Sequence, residues 1–237
     1  MNLFYDPRAQ AGHFELAEAE ARHIVQVLRR SQGDIIRLVD GKGGLWQGPI
    51  VSSSKKSCSL DLQLVNQSPR RADHRICLAI APTKQIDRLE WVLEKATEIG
   101  VDCIQPILCR YSERKQIRLD RLQRVLESAM KQSLQAWLPE LRPLLPFTEA
   151  LSGFQQAAKL MAYIDPDVRS TIAHNYQPGQ DVCILVGPEG GFHPDEAQLA
   201  REQGFQPVWL GPNRLRTETA GLYAIQTIAH LNLPAPS

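Results

Sequence analysis

Apolar and polar positions divide this chain into two regimes. Up to about residue 68 the signals are short. Ala17, Ala21, Ile24 and Leu28 have helical spacing, which predicts a helix over 17–27 behind the opening Asn2–Tyr5. The stretch DIIRLVDGKGGLWQG then reads as a strand, a glycine-rich turn and a second strand, and SCSLDLQLV adds a third with period-two alternation. A small β-barrel with one helix is expected over residues 1–70. The segment NQSPRRADH carries no periodic signal and marks a linker and domain boundary near residue 70.

From His74 onward strand and helix signals alternate. ICLAIAP is a short apolar strand, and Ile86, Leu89, Val92, Leu93, Ala96 and Ile99 line one helix face that stops at Gly100. DCIQPIL is the next strand, followed by a helix from Leu119 to about Leu134 with Leu122, Val125, Leu126 and Ala129 facing inward. KLMAYID, VCILVG and PVWLG are the later strands, with helices expected near Glu149–Ala158, Asp195–Gln203 and Glu218–Leu231. The alternation implies an α/β domain over 74–237 with a mainly parallel sheet.

Composition narrows the class. The chain has 237 residues, 43% hydrophobic and 22% charged, enough for a proper core and unlike a disordered or fibrous polymer. No apolar run approaches the ~18 residues of a membrane helix, and Asp6 and Arg8 near the start do not fit a signal peptide. No membrane association and a cytoplasmic location are expected. Cys58, Cys77, Cys103, Cys109 and Cys183 form no C-x-x-C pair, and the six histidines never approach H-E-x-x-H spacing. No metal is expected, and the cysteines read as reduced packing residues.

Ligands of open α/β sheets sit at the carboxyl ends of strands, which directs attention to the loops after VCILVG and PVWLG. The first is Gly187-Pro188-Glu189-Gly190-Gly191-Phe192, leading to Pro194 at a helix start. Glycines around a rigid proline let main-chain groups approach a flat ligand closely; a tight strand-to-helix turn would account for the same cluster. G-x-G-x-x-G and the P-loop motif are both absent. The second loop, Leu210-Gly211-Pro212-Asn213-Arg214-Leu215-Arg216-Thr217-Glu218-Thr219-Ala220, contains a cap candidate in Thr217 and a dipole partner in Glu218. Capping does not explain Gly-Pro-Asn followed by two arginines flanking a leucine, so a pocket shared by both loops is expected.

The net charge of +1 conceals a gradient: +2 over residues 1–73, +3 over 74–144 and −4 over 145–237. Residues 110–131 hold seven basic against three acidic side chains, and arginine outnumbers lysine 19 to 8, the bias expected where bidentate phosphate contacts are wanted. A solvated helix face is the ordinary explanation of such a run. A basic front two-thirds would suit a large RNA target without indiscriminate nucleic-acid binding.

GPEGGF, LGPNRLRTETA, EKATEIGV, Ser112-Glu113-Arg114 and His23-x-x-x-Val27-Leu28-Arg29 together resemble the bacterial 16S ribosomal RNA uridine-N3 methyltransferases, a family of the SPOUT class, over essentially the whole chain. The resemblance implies an N-terminal PUA-like barrel, a C-terminal α/β domain with a trefoil knot, S-adenosyl-L-methionine as methyl donor, a homodimer, and the 30S subunit or its 16S rRNA as partner. It assigns Gly187, Pro188, Glu189, Gly190 and Gly191 to one cofactor loop and Leu210, Gly211, Leu215, Arg216 and Thr217 to the other. Two departures stand out. The common G-P-R-I-L-R loop here has Asn213-Arg214 in place of its Arg-Ile pair, and the common E-Q-S-G-R element reads Lys131-Gln132-Ser133-Leu134-Gln135. His193 stands where a serine usually caps the helix at Pro194, a weaker cap.

Uracil N3 carries a proton, so a methylating site must stabilise the developing anion or remove that proton. Arg114 or Arg216 is expected to stabilise the uracilate, with Glu189 positioning substrate or assisting proton transfer; Arg114 as a phosphate ligand is the other reading. His23, Arg29, Arg30, Lys84, Arg110, Arg114 and Arg121 are the RNA-binding candidates, although a histidine among apolar helix neighbours also suits core or cap. Ribose 2′-O methylation, a catalytically silent assembly factor and an ordinary nucleotide-binding enzyme are the competing functions.

Overall fold

The structure, a computed structural model, describes residues 2–69, 74–165 and 167–233. Two compact units emerge, Met1–Arg71 with Glu127–Leu138, and Ala72–Leu126 with Pro139–Ser237. In the first, β1 (Leu3–Tyr5), β2 (Gly12–Glu15), β3 (Ile35–Val39), β4 (Gly44–Ser53) and β5 (Cys58–Gln67) form one sheet in the order β1-β3-β4-β5-β2. Period-two alternation turns Ile36 and Leu38 of β3 inward with Ile50, Leu60 and Leu62, and Phe4 and Phe14 complete that core.

The helix expected over 17–27 changes character part-way. It begins as α1 (Glu18–Arg22) and widens into a π-helical turn at His23–Val27. Leu28 N donates to the His23 carbonyl and Arg30 N to the Ile24 carbonyl, while Arg29 sits at φ 53°. The wide turn keeps Ala21 and Ile24 fully buried and leaves Val27 in solvent.

The second unit contains a parallel sheet in the order β12-β10-β11-β6-β7-β8, with β9 also pairing β7. Its strands are β6 (Ile76–Ile80), β7 (Cys103–Leu108), β8 (Glu140–Leu141), β9 (Leu145–Pro146), β10 (Ala158–Ala162), β11 (Val182–Val186) and β12 (Gln206–Val208). The helices are α2 (Ile86–Ile99), α3 (Leu119–Gln132), whose residues from Glu127 on belong to the first unit, α4 (Phe147–Ser152), α5 (Ile172–Asn175), α6 (Pro194–Glu202) and α7 (Thr217–Leu231). Every residue of β6 and β11 is buried, as expected of strands covered on both faces. Cys77 and Ala79 of β6 face a core shared with α4 and α6, while Ile80 and Val92 close on Gly221 of α7 from the other side.

Cys183, Cys77 and Cys103 lie in register across β11, β6 and β7. All five cysteines are buried free thiols, and burial pushes those of Cys58 and Cys109 up, which makes them unreactive packing groups. The helix expected over 149–158 is corrected to Phe147–Ser152: Gly153 ends it, Phe154 turns into the core against Phe205, and Ala158 already belongs to β10. No helix among the described residues is long and apolar enough to cross a membrane.

The end of α3 shows what one departure from the family pattern costs. Ser133 N donates to the Ala129 carbonyl and Gln135 N to the Met130 carbonyl, closing the helix through Leu134 at φ 57°. Glycine occupies this position in the common form, and Leu134 is half-exposed, so its side chain contributes little to offset the left-handed backbone. Leu134→Gly is expected to stabilise the protein by about 1 kcal/mol, strain relief exceeding the added chain entropy. A thermal melt should rise by about 2–4 °C; an unchanged or lower midpoint would contradict this.

Candidate active site

Because β10, β11 and β12 run parallel, the loops leaving them emerge at one edge of the sheet. Those loops line a cavity of about 520 Å³, within the range of small-molecule and cofactor sites. Gly187, Pro188, Glu189, Gly190, Gly191, Leu210, Gly211, Leu215 and Thr217 all line it. Arg216, assigned to the same loop, is exposed and outside the lining, where Arg214 is found instead. The two glycine-bearing loops therefore share one pocket. Thr217 does not cap α7 as expected: Arg216 occupies the cap position, and the Thr217 hydroxyl donates to the Gly187 carbonyl at 3.1 Å, fastening one loop to the other. Gly191 N donates to the Pro188 carbonyl at 2.8 Å with Gly191 at φ 75°, a tight turn that exposes main-chain groups to the cavity.

The loops after β6 and β7 bring the charged candidates to this edge. Arg114 donates through Nε to the Thr83 carbonyl at 3.0 Å and through Nη2 to the Lys84 carbonyl at 2.7 Å; Nη1 has no partner among the described residues. Lys84 N donates to Glu189 Oε1 at 2.9 Å, while Glu189 Oε2 is buried without a hydrogen-bond partner. Arg114, Lys84 and Glu189 thus form a relay from the β7 loop through the β6 loop to the glycine loop. The Lys84 ammonium bonds Glu113, and that carboxylate holds its pKa above the ordinary lysine value.

Other basic candidates are engaged locally. Arg110 donates to Asp195 at 3.3 Å and lies 2.7 Å from His193 Nε2. Arg121 bonds Glu90 at 2.8 Å, and Arg118 and Arg124 both pair with Asp120. His193, expected to be a weak cap, makes a full capping box with Glu196: its side chain accepts from Asp195 N, and its own N donates to the Glu196 carboxylate. In the N-terminal unit His23 meets Phe4 edge-on at 5.9 Å, and Arg29 and Arg30 are exposed, with no ion-pair partner among the described residues.

A family model for the RNA methyltransferase domain matches residues 70–229, and one for the RNA methyltransferase PUA domain matches 16–63. The ribosomal RNA small subunit methyltransferase E of Synechocystis is 31% identical over 220 residues, covering 90% of this chain and 71% of that one. The chain belongs to this methyltransferase family. A probable rRNA methyltransferase from Porphyromonas gingivalis superposes with a TM-score of 0.90 at 44% identity, covering 98% of each chain. The ribosomal RNA small subunit methyltransferase E of Neisseria gonorrhoeae, solved bound to S-adenosyl methionine, superposes with a TM-score of 0.85 at 31% identity, again over 98% of each chain.

For a methyltransferase of this family, sequence reasoning left part of the cavity unread. Tyr163 and Ile164 after β10, and Trp209 after β12, also line it, beside Pro212 and Asn213 of the loop expected there. The β10 loop has no glycine signature, and only its parallel neighbours bring it to the pocket. Glu218, read as a dipole partner, is also buried within 3.7 Å of Arg88 and ties α7 to α2.

Proposed function

We propose that this chain transfers a methyl group from S-adenosyl-L-methionine to N3 of a specific uridine in 16S rRNA of the small ribosomal subunit. The observation that carries the reading is the one cavity shared by two glycine-bearing strand-end loops, fastened by Thr217 and Gly187 and lined by Glu189, which Lys84 N bonds from the loop that Arg114 holds. The residues present fit a donor of this kind: main-chain groups of 187–191 and 210–215 suit a flat adenosine, and the buried, unpaired Glu189 Oε2 awaits a donor or cation. When bound, the cofactor supplies an electrophilic methyl on a sulfonium.

Uracil must present N3 in line with that methyl and lose its proton. With Nε and Nη2 fixed on the β6 loop, Arg114 Nη1 is the donor proposed to stabilise negative charge on the pyrimidine carbonyls. Glu189 orients the glycine loop through Oε1 and has Oε2 for the substrate proton or the cofactor amine. Arg216, in solvent beside the cavity, suits RNA phosphate as well as the uracilate.

The architecture proposed with this activity is a PUA-like barrel over 1–70 that grips RNA and a SPOUT domain over 74–237 with a trefoil knot. In support of the knot, β10 lies between the later strands β11 and β12, and the chain leaving β12 bonds the 163–171 loop through Trp209 N and the Ser170 carbonyl before entering α7. A homodimer agrees with the outer face of α2 and α7, which carries exposed Trp91 and Tyr223. The site of action is the cytoplasm.

For RNA grip, His23, Arg29 and Arg30 are the barrel residues proposed. Arg29 holds φ 53°, where glycine would be more comfortable, which fits a side chain kept for binding. Arg29→Gly is expected to raise the melting temperature while weakening 30S binding and flattening its salt dependence; equal affinity and salt slope would remove Arg29 from the RNA site. The function itself is tested by incubating 30S subunits with methyl-labelled donor and mapping the product nucleoside. N3-methyluridine at one position is expected; a ribose-methylated nucleoside, or no product with intact cofactor binding, would overturn the assignment.

A further inference from the structure

We propose that Tyr111 is the stacking surface for the target uracil at the mouth of the cofactor cavity, an inference that rests on the methyl-transfer reading above. The chemistry sets the requirement. N3 lies on the Watson–Crick edge, so a base being methylated there must be unpaired with that edge turned to the donor. A protein can then hold it chiefly by its π-faces.

Tyr111 meets this requirement by position and by what it leaves unused. It occupies the Cys109–Ser112 turn, locked by Cys109 N donating to Ser112 Oγ and Ser112 N to the Cys109 carbonyl, each at 3.0 Å. Its immediate neighbour is Gly190 of the cavity lining: a Cβ added to Gly190 would lie 2.9 Å from the Tyr111 Cβ. Its ring leans on His193, centroids 5.7 Å apart and planes at 57°. His193 is itself held by Arg110 Nη1 and the α6 capping box, and Arg110 N donates to Glu196 at 2.8 Å.

The aromatic ring is therefore held between Gly190 and His193, yet remains 46% exposed, and its hydroxyl has no hydrogen-bond partner among the described residues. A large aromatic fixed beside a cofactor loop with a free face is suited to a splayed base. A packing role would bury that face, and a hydrogen-bonding role would engage the hydroxyl.

The test is methyl transfer by the full chain to 30S subunits lacking the modification and to protein-free 16S rRNA, with cofactor affinity measured in parallel by calorimetry. Tyr111→Ala is expected to lower kcat/KM for RNA about tenfold with cofactor affinity retained, and Tyr111→Phe and Tyr111→Trp, which keep the face, to restore it. Substrate carrying 5-iodouridine at the target position should photocrosslink to the Tyr111 peptide. Wild-type kcat/KM in Tyr111→Ala, or a crosslink to Trp209 instead, overturns the stacking role while methyl transfer stands. Failure of the wild-type protein to methylate either substrate overturns the methyl-transfer reading and the stacking role together.

Discussion

Arg114→Ala is expected to lower single-turnover methyl transfer by about 10²- to 10³-fold at saturating donor and 30S substrate. Two losses combine. The guanidinium fastens the loop after β6 through the Thr83 and Lys84 carbonyls, and Lys84 N in turn holds Glu189. Without it the glycine loop loses an anchor and two carbonyls lose their donor. The unpaired Nη1 also disappears, and with it the donor proposed to stabilise the uracilate. Arg114→Lys separates charge from geometry: an ammonium keeps the charge but cannot reproduce the planar fork that serves both carbonyls. Lysine should therefore remain far below wild type. An alanine variant with normal kcat and only weakened RNA affinity would reduce Arg114 to a phosphate ligand.

Arg114 stands out in the sequence as a candidate for the uracilate or for RNA phosphate, whereas the backbone carbonyls it bonds carry no sequence signal. Periodicity locates elements, since Leu89, Val92, Leu93 and Ala96 must share a helix face and ICLAI must be buried on both sides. It is blind to which loops meet. Thr83 and Arg114 are 31 residues apart, and Lys84 and Glu189 105, joined only because β6, β7 and β11 run parallel in adjacent positions. Glycine and proline mark the loops after β11 and β12 because their backbones need special conformations. The β10 loop needs none, so Tyr163 and Ile164 left no trace. Charge misleads in another way: within the basic run over 110–131, Arg121 is paired with Asp87 and Glu90, and Arg118 and Arg124 with Asp120, pairings that composition cannot show. The π-helical turn and the left-handed backbone at Leu134 carry no sequence signal, because helical spacing alone does not distinguish a widened turn, or a strained helix end, from regular helix.

Gly211→Val is expected to weaken S-adenosyl-L-methionine binding by more than about 100-fold, while the far-UV spectrum stays that of the folded protein. Gly211 sits at φ 125°, beyond even the left-handed helical region, and nothing lies within 4 Å of the position its Cβ would take. The penalty is therefore backbone strain and not a clash, about 3 kcal/mol or more for a β-branched residue at such a φ. Pro212 tightens the constraint, because the residue before a proline is itself driven to extended backbone at negative φ. Valine can satisfy both preferences only by rotating the Leu210–Gly211 segment, and both residues line the cavity. Gly211→Ala, with a smaller penalty at the same φ, should give an intermediate loss. Calorimetric titration of the three proteins with the cofactor reads the series directly. Equal affinities would mean that the loop adopts a negative φ at residue 211 when it binds, and that the positive φ is not what the glycine is for.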